Sequence, residues 1–237
     1  MSARFDAVLF DAGGIFVVPD PTTVGAVVDR HGGDGSVASI VRAHYAGMAA
    51  LDDHALATAA GSIDTFSWDT YRTGVARAAG INDAQMHEAV VRLRDVYSPM
   101  LWRYPLMEST AALWRLHLHG VPIGVVSNAS GQIEATLANQ CILQVGAGAG
   151  VPVLIVTDSH LIGVSKPDPG IFADAFAVLD AKGIDRSRVA YVGDSFVNDV
   201  GAALNAGIHG VLLDPYDDRA HLDCERVHSL HELMQWV

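Results

Sequence analysis

From about residue 109 onward, short apolar segments alternate with helical segments. The apolar segments are rich in valine and isoleucine, a composition typical of buried strands. Strands that alternate with helices form a parallel sheet covered by helices on both faces. The pattern therefore predicts an α/β fold. The predicted strands are 121–126, 151–156, 188–192 and 209–213, and the predicted helices are 109–119, 131–141, a helix that follows Pro169 and reaches Lys182, 197–206 and 231–236.

A further strand is predicted near the start of the chain, over residues 7–10, and it ends in Asp11. A parallel strand delivers its last residue to the carboxyl edge of the sheet, where ligands bind in α/β folds. Gly13 and Gly14 follow, and their backbone can approach a ligand closely because neither carries a side chain. A helix cap or a turn would equally explain one aspartate at a strand end. The interpretation of Asp11 therefore depends on the later segments.

Residues 18–103 separate this strand from the others, and their pattern is helical throughout. Apolar residues recur at helical spacing in the second predicted helix, and nothing in the region alternates as a strand would. We therefore expect a small helical bundle inserted after the first strand. The predicted helices are one capped by Thr22 or Thr23 that runs to Asp29, one that starts at Ser36 and carries Val37, Ile40, Val41, His44 and Met48 on one face, one over 65–79, and one that starts at Asp83 and carries Met86, Val90, Leu93 and Tyr97 on one face.

Composition excludes several classes of function. The formal net charge of −12 disfavours binding to nucleic acid or to anionic membrane surfaces. No segment approaches the ~18 uncharged apolar residues of a membrane span, and the first residues enter the first strand directly, so we expect no signal peptide. Cys141 and Cys224 form neither a disulfide framework nor a metal-ligand spacing, which predicts a reducing cytoplasmic setting.

Two later segments carry polar groups suited to an anionic ligand. Ser127 and Asn128 end an apolar strand, where a hydroxyl and a backbone N–H can donate to an anionic oxygen. Lys166 is the only lysine or arginine between Arg115 and Lys182, and the two prolines that follow it restrain the chain ahead of a helix. These residues are candidates for phosphate or carboxylate binding.

The segment 193–199 places Asp194 and Asp199 at a strand end and at the start of the next helix. If both converge with Asp11, their charges repel, so that one carboxyl must be protonated or a cation must lie among them. Mg²⁺ suits such a site, because it binds carboxylates, waters and phosphate oxygens.

The four segments, in this order, resemble the haloacid dehalogenase superfamily of aspartate-nucleophile hydrolases. The resemblance covers roughly residues 4–17 and 104–215, and the helical insertion lies where that family carries its cap domain. It implies a Rossmann-like parallel-sheet core formed by 1–17 and 104–237, with a helical cap formed by 18–103.

The resemblance also implies roles for individual residues. Asp11 would be the nucleophile, while Ser127 and Lys166 would hold the phosphoryl oxygens. Asp194 would bind Mg²⁺ and Asp199 would bind or support it. An aspartate can attack phosphorus to give an acyl phosphate, which water then hydrolyses.

One position departs from the family's phosphatases, which usually carry a second aspartate two residues after the nucleophile as general acid and base. Here that residue is Gly13. Its carbonyl can still bind the metal, as the carbonyl at that position does in the family, but no side chain is present to transfer a proton.

The sequence thus favours a Mg²⁺-dependent phosphatase of small phosphorylated metabolites. Two alternatives stay open: a binding or regulatory protein with a degenerate site, for which Gly13 is the argument, and a haloacid dehalogenase, a branch that also lacks the second aspartate. The acidic pair in 193–199 counts against the dehalogenase, because that branch generally needs no metal.

Substrate selection is expected to come from the cap. The candidates for substrate contacts there are polar or aromatic residues on the predicted cap helices: Arg42, His44, Tyr45, Trp68, Tyr71 and Arg72. Asn128 is a further candidate in the core. His44 also lies on an apolar helix face and is equally suited to be a core residue. The sequence indicates neither the substrate nor the oligomeric state.

Overall fold

A computed structural model describes residues 3–58 and 67–237. The chain forms two compact units. The first consists of Met1–Val17, Pro105–Pro215 and His221–Val237, and the second consists of Val18–Tyr104 and Tyr216–Ala220.

The first unit is built on a six-stranded sheet in which every pairing is parallel. Its strand order is β10-β9-β8-β1-β4-β7, so that β1 lies between β8 and β4. The predicted α/β fold is therefore confirmed. The strands in chain order are β1 (Ala7–Phe10), β2 (Val17–Pro19), β3 (Trp102–Pro105), β4 (Ile123–Ser127), β5 (Leu143–Val145), β6 (Val151–Val153), β7 (Val156–Asp158), β8 (Val189–Gly193), β9 (His209–Leu213) and β10 (Glu225–Val227).

Helices α5 to α9 belong to the first unit, and α1 to α4 belong to the second. The α-helices are α1 (Pro21–Arg30), α2 (Val37–Thr58), α3 (Trp68–Ala78), α4 (Asp83–Val96), α5 (Met107–Leu118), α6 (Ile133–Asn139), α7 (Ser159–Ile162), α8 (Ala173–Ala181) and α9 (Gly201–Asn205). Short 3-10 turns cover Pro99–Leu101, Pro169–Phe172, Arg186–Arg188 and Leu230–Gln235, and one turn of π-helix covers Phe196–Val200.

The central strand β1 is buried along its whole length. Its residues alternate between the two faces of the sheet, and Ala7 and Leu9 pack with Phe172, Leu179 and Tyr191 in one core cluster. Because β1 is covered on both faces, its sequence is a continuous run of apolar residues. This burial fixes the position at which the chain emerges with Asp11.

The strand predicted over 151–156 is wrong in one respect, because the structure divides it in two. Val151–Val153 pairs with β5 in a separate two-stranded sheet, whereas Val156–Asp158 adds to the edge of the main sheet beside β4. The chain changes partner at 154–155, where Leu154 N donates to the carbonyl of Ile123. Pro152 has no backbone N–H and is a signal against one continuous central strand, but the apolar residues that follow it do not show where the break falls.

The second unit is a helical bundle around a buried cluster that includes Val24, Ile40, Tyr71 and Leu93. The helical pattern predicted for this region agrees with α1 to α4, although the first helix is capped by Asp20 rather than by Thr22 or Thr23. Residues 65 and 66 of the third predicted helix lie outside the described residues. Strands β2 and β3 pair at the two points where the chain passes between the units, and the sequence did not predict them.

Residues 216–220 were predicted to belong to the core, but the structure groups them with the second unit. Two ion pairs explain this placement. Arg219 and Asp52 are both buried, with 3.3 Å between Nη1 and Oδ2, and Arg42 contacts Asp218 at 2.6 Å. A buried arginine is tolerated only beside an opposite charge, so Arg219 fixes this segment against α2.

No helix in the described part of the chain combines the length and the apolarity needed to cross a membrane.

Candidate active site

Three neighbouring strands end at one place on the edge of the first unit. Asp11 follows β1, Ser127 is the last residue of β4, and Asp194 follows β8. Because β8, β1 and β4 are adjacent and parallel, their carboxyl ends bring these three residues together. Parallel pairing therefore assembles a polar site from segments that are distant in sequence.

Lys166 joins this group from the loop that follows α7. Its Nζ lies 2.9 Å from Oδ1 of Asp11 and 2.6 Å from Oδ1 of Asp199. The side chains of Lys166 and Asp199 are each 2% exposed, whereas that of Asp11 is 12% exposed. The ammonium thus lies between two carboxylates, of which that of Asp11 is the more exposed.

Both carboxylate oxygens of Asp199 accept hydrogen bonds. Oδ1 accepts a hydrogen bond from Lys166, and Oδ2 accepts one from the backbone N–H of Ser195 at 2.9 Å. The turn of π-helix at Phe196–Val200 carries this carboxylate back toward the strand end, and such turns are frequent at functional sites. These contacts place Asp199 as a support of the lysine.

Two glycines provide the space that the carboxylates occupy. A Cβ at Gly14, whose φ is +66°, would lie 1.9 Å from Oδ2 of Asp194. A Cβ at Gly193 would lie 2.1 Å from Cγ of Asp199. Neither position can accept a side chain unless the neighbouring aspartate moves.

Asp11, Asp194 and Asp199 each offer a carboxylate oxygen, and these oxygens lie within 4.8 Å of one another. Oδ1 of Asp11 is buried and accepts no well-directed hydrogen bond from the described residues. Carboxylate oxygens are the ligands of hard cations such as Mg²⁺. The donor set and this unsatisfied oxygen therefore fit a magnesium ion, with Asp11 and Asp194 as the residues able to hold it and Asp199 beside them.

The charges of the site shift the pKa values of its groups. Burial, together with the charges of Asp199 and Asp194, raises the pKa of Asp11 from 3.8 to about 6, against the opposing effect of Lys166 and of a hydrogen bond from Ser127. Burial alone would lower the pKa of Lys166. The attraction of Asp11 and Asp199 outweighs burial, so the pKa of Lys166 is raised and the ammonium stays charged.

A family model described as "Hydrolase: haloacid dehalogenase-like hydrolase" matches residues 5–207. The chain belongs to the haloacid dehalogenase-like hydrolases. The resemblance identified in the sequence is thereby confirmed, and the match covers the three strand ends, Lys166 and both aspartates of the 193–199 segment.

Curated relatives match parts of this hydrolase. The haloacid dehalogenase-like hydrolase domain-containing protein 3 of Danio rerio is 35% identical over 115 residues, which are 48% of this chain and 43% of that protein. The phosphoserine phosphatase of Thermus thermophilus is 32% identical over 136 residues, which are 55% of this chain and 51% of that protein. The hydrolase thus spans about half of the length of the relatives it matches.

Solved structures share the fold over nearly the whole chain. A HAD phosphatase from Thermococcus onnurineus has a TM-score of 0.56 at 20% identity, over 97% of this chain and 96% of that chain. A 2-haloacid dehalogenase from Pseudomonas syringae has a TM-score of 0.52 at 17% identity, over 98% of this chain and 97% of that chain. At these identities the likeness concerns the fold alone.

The predicted substrate residue Asn128 contacts the main chain of Lys166 in the structure. Its Nδ2 donates to the carbonyl of Lys166 at 3.1 Å, and its Oδ1 accepts from the backbone N–H of Lys166 at 2.8 Å. The amide is therefore used to hold the lysine loop against the end of β4. Gly13 lies in the turn after β1, where it forms a bridge with Val17.

The candidates Arg42, His44 and Tyr45 have contacts within the second unit. Arg42 pairs with Asp218, and its guanidinium lies 4.6 Å from the ring centroid of Tyr216. His44 is buried, with Nδ1 2.9 Å from the hydroxyl of Tyr71, and Tyr45 is buried beside Tyr216. These contacts favour a core role for His44, while a substrate contact by Arg42, His44 or Tyr45 stays a prediction.

Sequence reasoning missed Tyr191, a residue of β8 whose hydroxyl lies 2.9 Å from Nζ of Lys166. Its only signal in the sequence is that it is a tyrosine within an otherwise apolar strand, and a buried tyrosine hydroxyl requires a polar partner. That requirement does not indicate which partner it finds.

Proposed function

We propose that this hydrolase is a Mg²⁺-dependent phosphatase of small phosphorylated metabolites that uses Asp11 as its nucleophile. The observation that carries the proposal is the convergence of the Lys166 ammonium with three carboxylates at the carboxyl edge of the sheet. A lysine and a cation site on either side of one partly exposed carboxylate suit a dianionic phosphoryl group, whose transfer mainly needs positioning and charge neutralisation. The similarity to the phosphoserine phosphatase of Thermus thermophilus supports the same class of substrate.

Asp11 supplies the reacting oxygen. One carboxylate oxygen forms a bond to phosphorus while the bond between phosphorus and the leaving oxygen breaks, and the electron pair departs with the leaving oxygen. Water then attacks the phosphorus of the resulting acyl phosphate, which releases inorganic phosphate and regenerates the carboxylate. Lys166 and the Ser127 hydroxyl hold the phosphoryl oxygens during both steps.

Magnesium would neutralise negative charge on the phosphoryl oxygens. Asp11 and Asp194 would hold it, and the Gly13 carbonyl and Asp199 are further candidate ligands. Its presence would also offset the repulsion among the three carboxylates, which otherwise favours the protonated form of Asp11.

Gly13 limits the proton transfer that this site can supply. The leaving oxygen departs with an electron pair and requires a proton unless it is already a weak base. Position 13 has no side chain to donate one. We therefore expect aryl and acyl phosphates to react faster than alkyl phosphates.

The experiment that tests the proposal is a panel of alkyl, aryl and acyl phosphates together with 2-chloropropionate, assayed with Mg²⁺ and with EDTA. Phosphate release that depends on Mg²⁺ is expected. Halide release without metal would indicate a dehalogenase instead.

A second candidate function is a binding or regulatory protein with a degenerate site, and Gly13 is the observation that favours it. That function predicts Mg²⁺ binding and inorganic phosphate binding without turnover of any member of the panel. We expect the chain to act in the cytoplasm and to bind neither nucleic acid nor membranes, as its charge and cysteine content predict.

A further inference from the structure

Tyr191 lies in the centre of the first unit, and its ring is fixed by packing. The side chain is fully buried in β8, and the ring meets that of Phe172 edge to face, with 4.9 Å between centroids. An aromatic side chain held in this way has few rotamers available, so its hydroxyl occupies a defined place.

The hydroxyl of Tyr191 has a donor and an acceptor role that can be assigned. It lies 2.6 Å from the carbonyl oxygen of Val126, 2.9 Å from Nζ of Lys166 and 3.3 Å from Oδ1 of Asp199. A carbonyl only accepts and an ammonium only donates. Val126 and Asp199 can both accept the single hydroxyl proton, and the much shorter contact assigns it to Val126. The hydroxyl oxygen accepts from Lys166. Burial and the neighbouring carboxylates raise the pKa of Tyr191 well above its ordinary value, which keeps this proton in place.

The ammonium of Lys166 can donate three hydrogen bonds, one from each N–H. One is donated to Asp199 at 2.6 Å and a second to Tyr191 at 2.9 Å. The third is not donated to Oδ1 of Asp11, which lies 2.9 Å from Nζ but outside hydrogen-bond geometry, so it stays available to a group bound beside Asp11. Two fixed partners thus determine where the third N–H points.

We propose that Tyr191 is a positioning residue of this hydrolase, whose hydroxyl holds the Lys166 ammonium beside Asp11 so that one N–H stays available to the group that Asp11 attacks. The inference rests on the proposed function, because Lys166 needs this orientation only if Asp11 reacts. It adds to that function a residue of the sheet that touches neither substrate nor metal.

The first test is the variant Tyr191→Phe, which keeps the ring and removes the hydroxyl. With 4-nitrophenyl phosphate and saturating Mg²⁺, we expect kcat to fall by about ten- to a hundredfold, because a misdirected ammonium no longer meets the charge of the transition state. KM should change by less than ~twofold, since the lost contact acts in the transition state. Tyr97→Phe removes the hydroxyl of a partly buried tyrosine in the second unit, which lies 3.5 Å from the hydroxyl of Tyr71, and it should leave kcat unchanged.

The second test measures the hydrogen exchange of the Lys166 ammonium protons and does not depend on activity. The chain contains two lysines, so labelling the lysine side-chain nitrogen with ¹⁵N gives one ammonium NMR signal from buried Lys166 and one from exposed Lys182. The ammonium protons of Lys166 should exchange slowly in the unmodified protein and faster in Tyr191→Phe, whereas those of Lys182 should not change. Should Tyr191→Phe fail to fold, Tyr191→Met fills the space without a hydroxyl and replaces it in both tests.

The outcomes separate this inference from the proposed function. If the unmodified protein hydrolyses the phosphate and the Tyr191 variant retains its kcat, the inference is overturned and the function stands. Fast exchange of Lys166 in the unmodified protein overturns the inference as well. If no phosphate in the panel is hydrolysed, the proposed function fails and the positioning role fails with it, whatever the exchange shows.

Discussion

The carboxylate of Asp194 fills the space into which a side chain at Gly14 would project. A Cβ at position 14 would lie 1.9 Å from Oδ2 of Asp194, and the φ of Gly14 is +66°. Gly14→Ala should therefore displace the Asp194 carboxylate. We expect the variant to fold and to lose the increase in melting temperature that millimolar Mg²⁺ gives the unmodified protein, as measured by thermal unfolding with and without the ion.

Gly163→Ala is the matched control for this variant. Gly163 has a φ of +73° and a Cβ there would meet nothing within 4 Å. Both substitutions carry the backbone cost of a left-handed alanine, about 1–2 kcal/mol, but only Gly14→Ala disturbs an aspartate. An equal response of the two variants to Mg²⁺ would show that the contact between position 14 and Asp194 does not matter for the metal.

Magnesium should stabilise the folded protein because it offsets the repulsion among Asp11, Asp194 and Asp199. At a hundred times its Kd the ion adds about 2.7 kcal/mol to the free energy of unfolding. Asp194→Ala should abolish that gain, whereas Asp174→Ala, which changes an exposed aspartate of α8, should retain it. If Mg²⁺ does not change the melting temperature of the unmodified protein, this result would contradict the metal site and favour the dehalogenase alternative.

Asp11 should make stability depend on pH when no metal is present. Its pKa is raised in the folded state from 3.8 to about 6, so the folded protein favours the protonated carboxyl. The cost of ionising it is absent below pH ~4, grows between ~4 and ~6, and is complete above that, on the order of 3 kcal/mol. Asp11→Asn removes this cost because the amide stays neutral.

Urea unfolding in EDTA at several pH values measures this effect. The free energy of unfolding of Asp11→Asn should exceed that of the unmodified protein at pH ~8, and the difference should vanish toward pH ~4. Asp174→Asn should show no such trend. A difference that is constant across this range would mean that Asp11 does not carry a raised pKa.

Much of this arrangement could be predicted from the sequence. Asp11, Ser127 and Asp194 each follow or end an apolar segment, and parallel pairing carries strand ends to one edge. The family resemblance placed Lys166 at the site, but its contacts with Asp11 and Asp199 could not be predicted from the residues, because the course of a loop depends on packing. Asn128 shows the same limit, since an amide at a strand end suits a substrate as well as the main chain of Lys166. Residues 216–220 joined the second unit through Asp52 and Asp218, partners that no local pattern indicates.

The absence of a side chain at Gly13 predicts a strong dependence on the leaving group. General acid catalysis typically contributes ~10²–10⁴-fold, and without it the rate should fall steeply as the pKa of the leaving group rises. A series of phosphate monoesters at saturating Mg²⁺ measures this slope. Gly13→Asp should flatten it by raising the rates of the alkyl esters. A flat slope in the unmodified protein, with chemistry rate-limiting, would mean that another acid serves this step.

The central claim is that Asp11 attacks phosphorus in a Mg²⁺-dependent reaction. The most direct measurement is the rate of phosphate release from 4-nitrophenyl phosphate by the unmodified protein, Asp11→Asn and Asp174→Asn, each with Mg²⁺ and with EDTA. We expect turnover by the unmodified protein and by Asp174→Asn with Mg²⁺, and none by folded Asp11→Asn. Turnover by Asp11→Asn above a few hundredths of the unmodified rate, with contamination excluded, would show that Asp11 is not the nucleophile, since loss of a nucleophile typically costs far more than ~10²-fold.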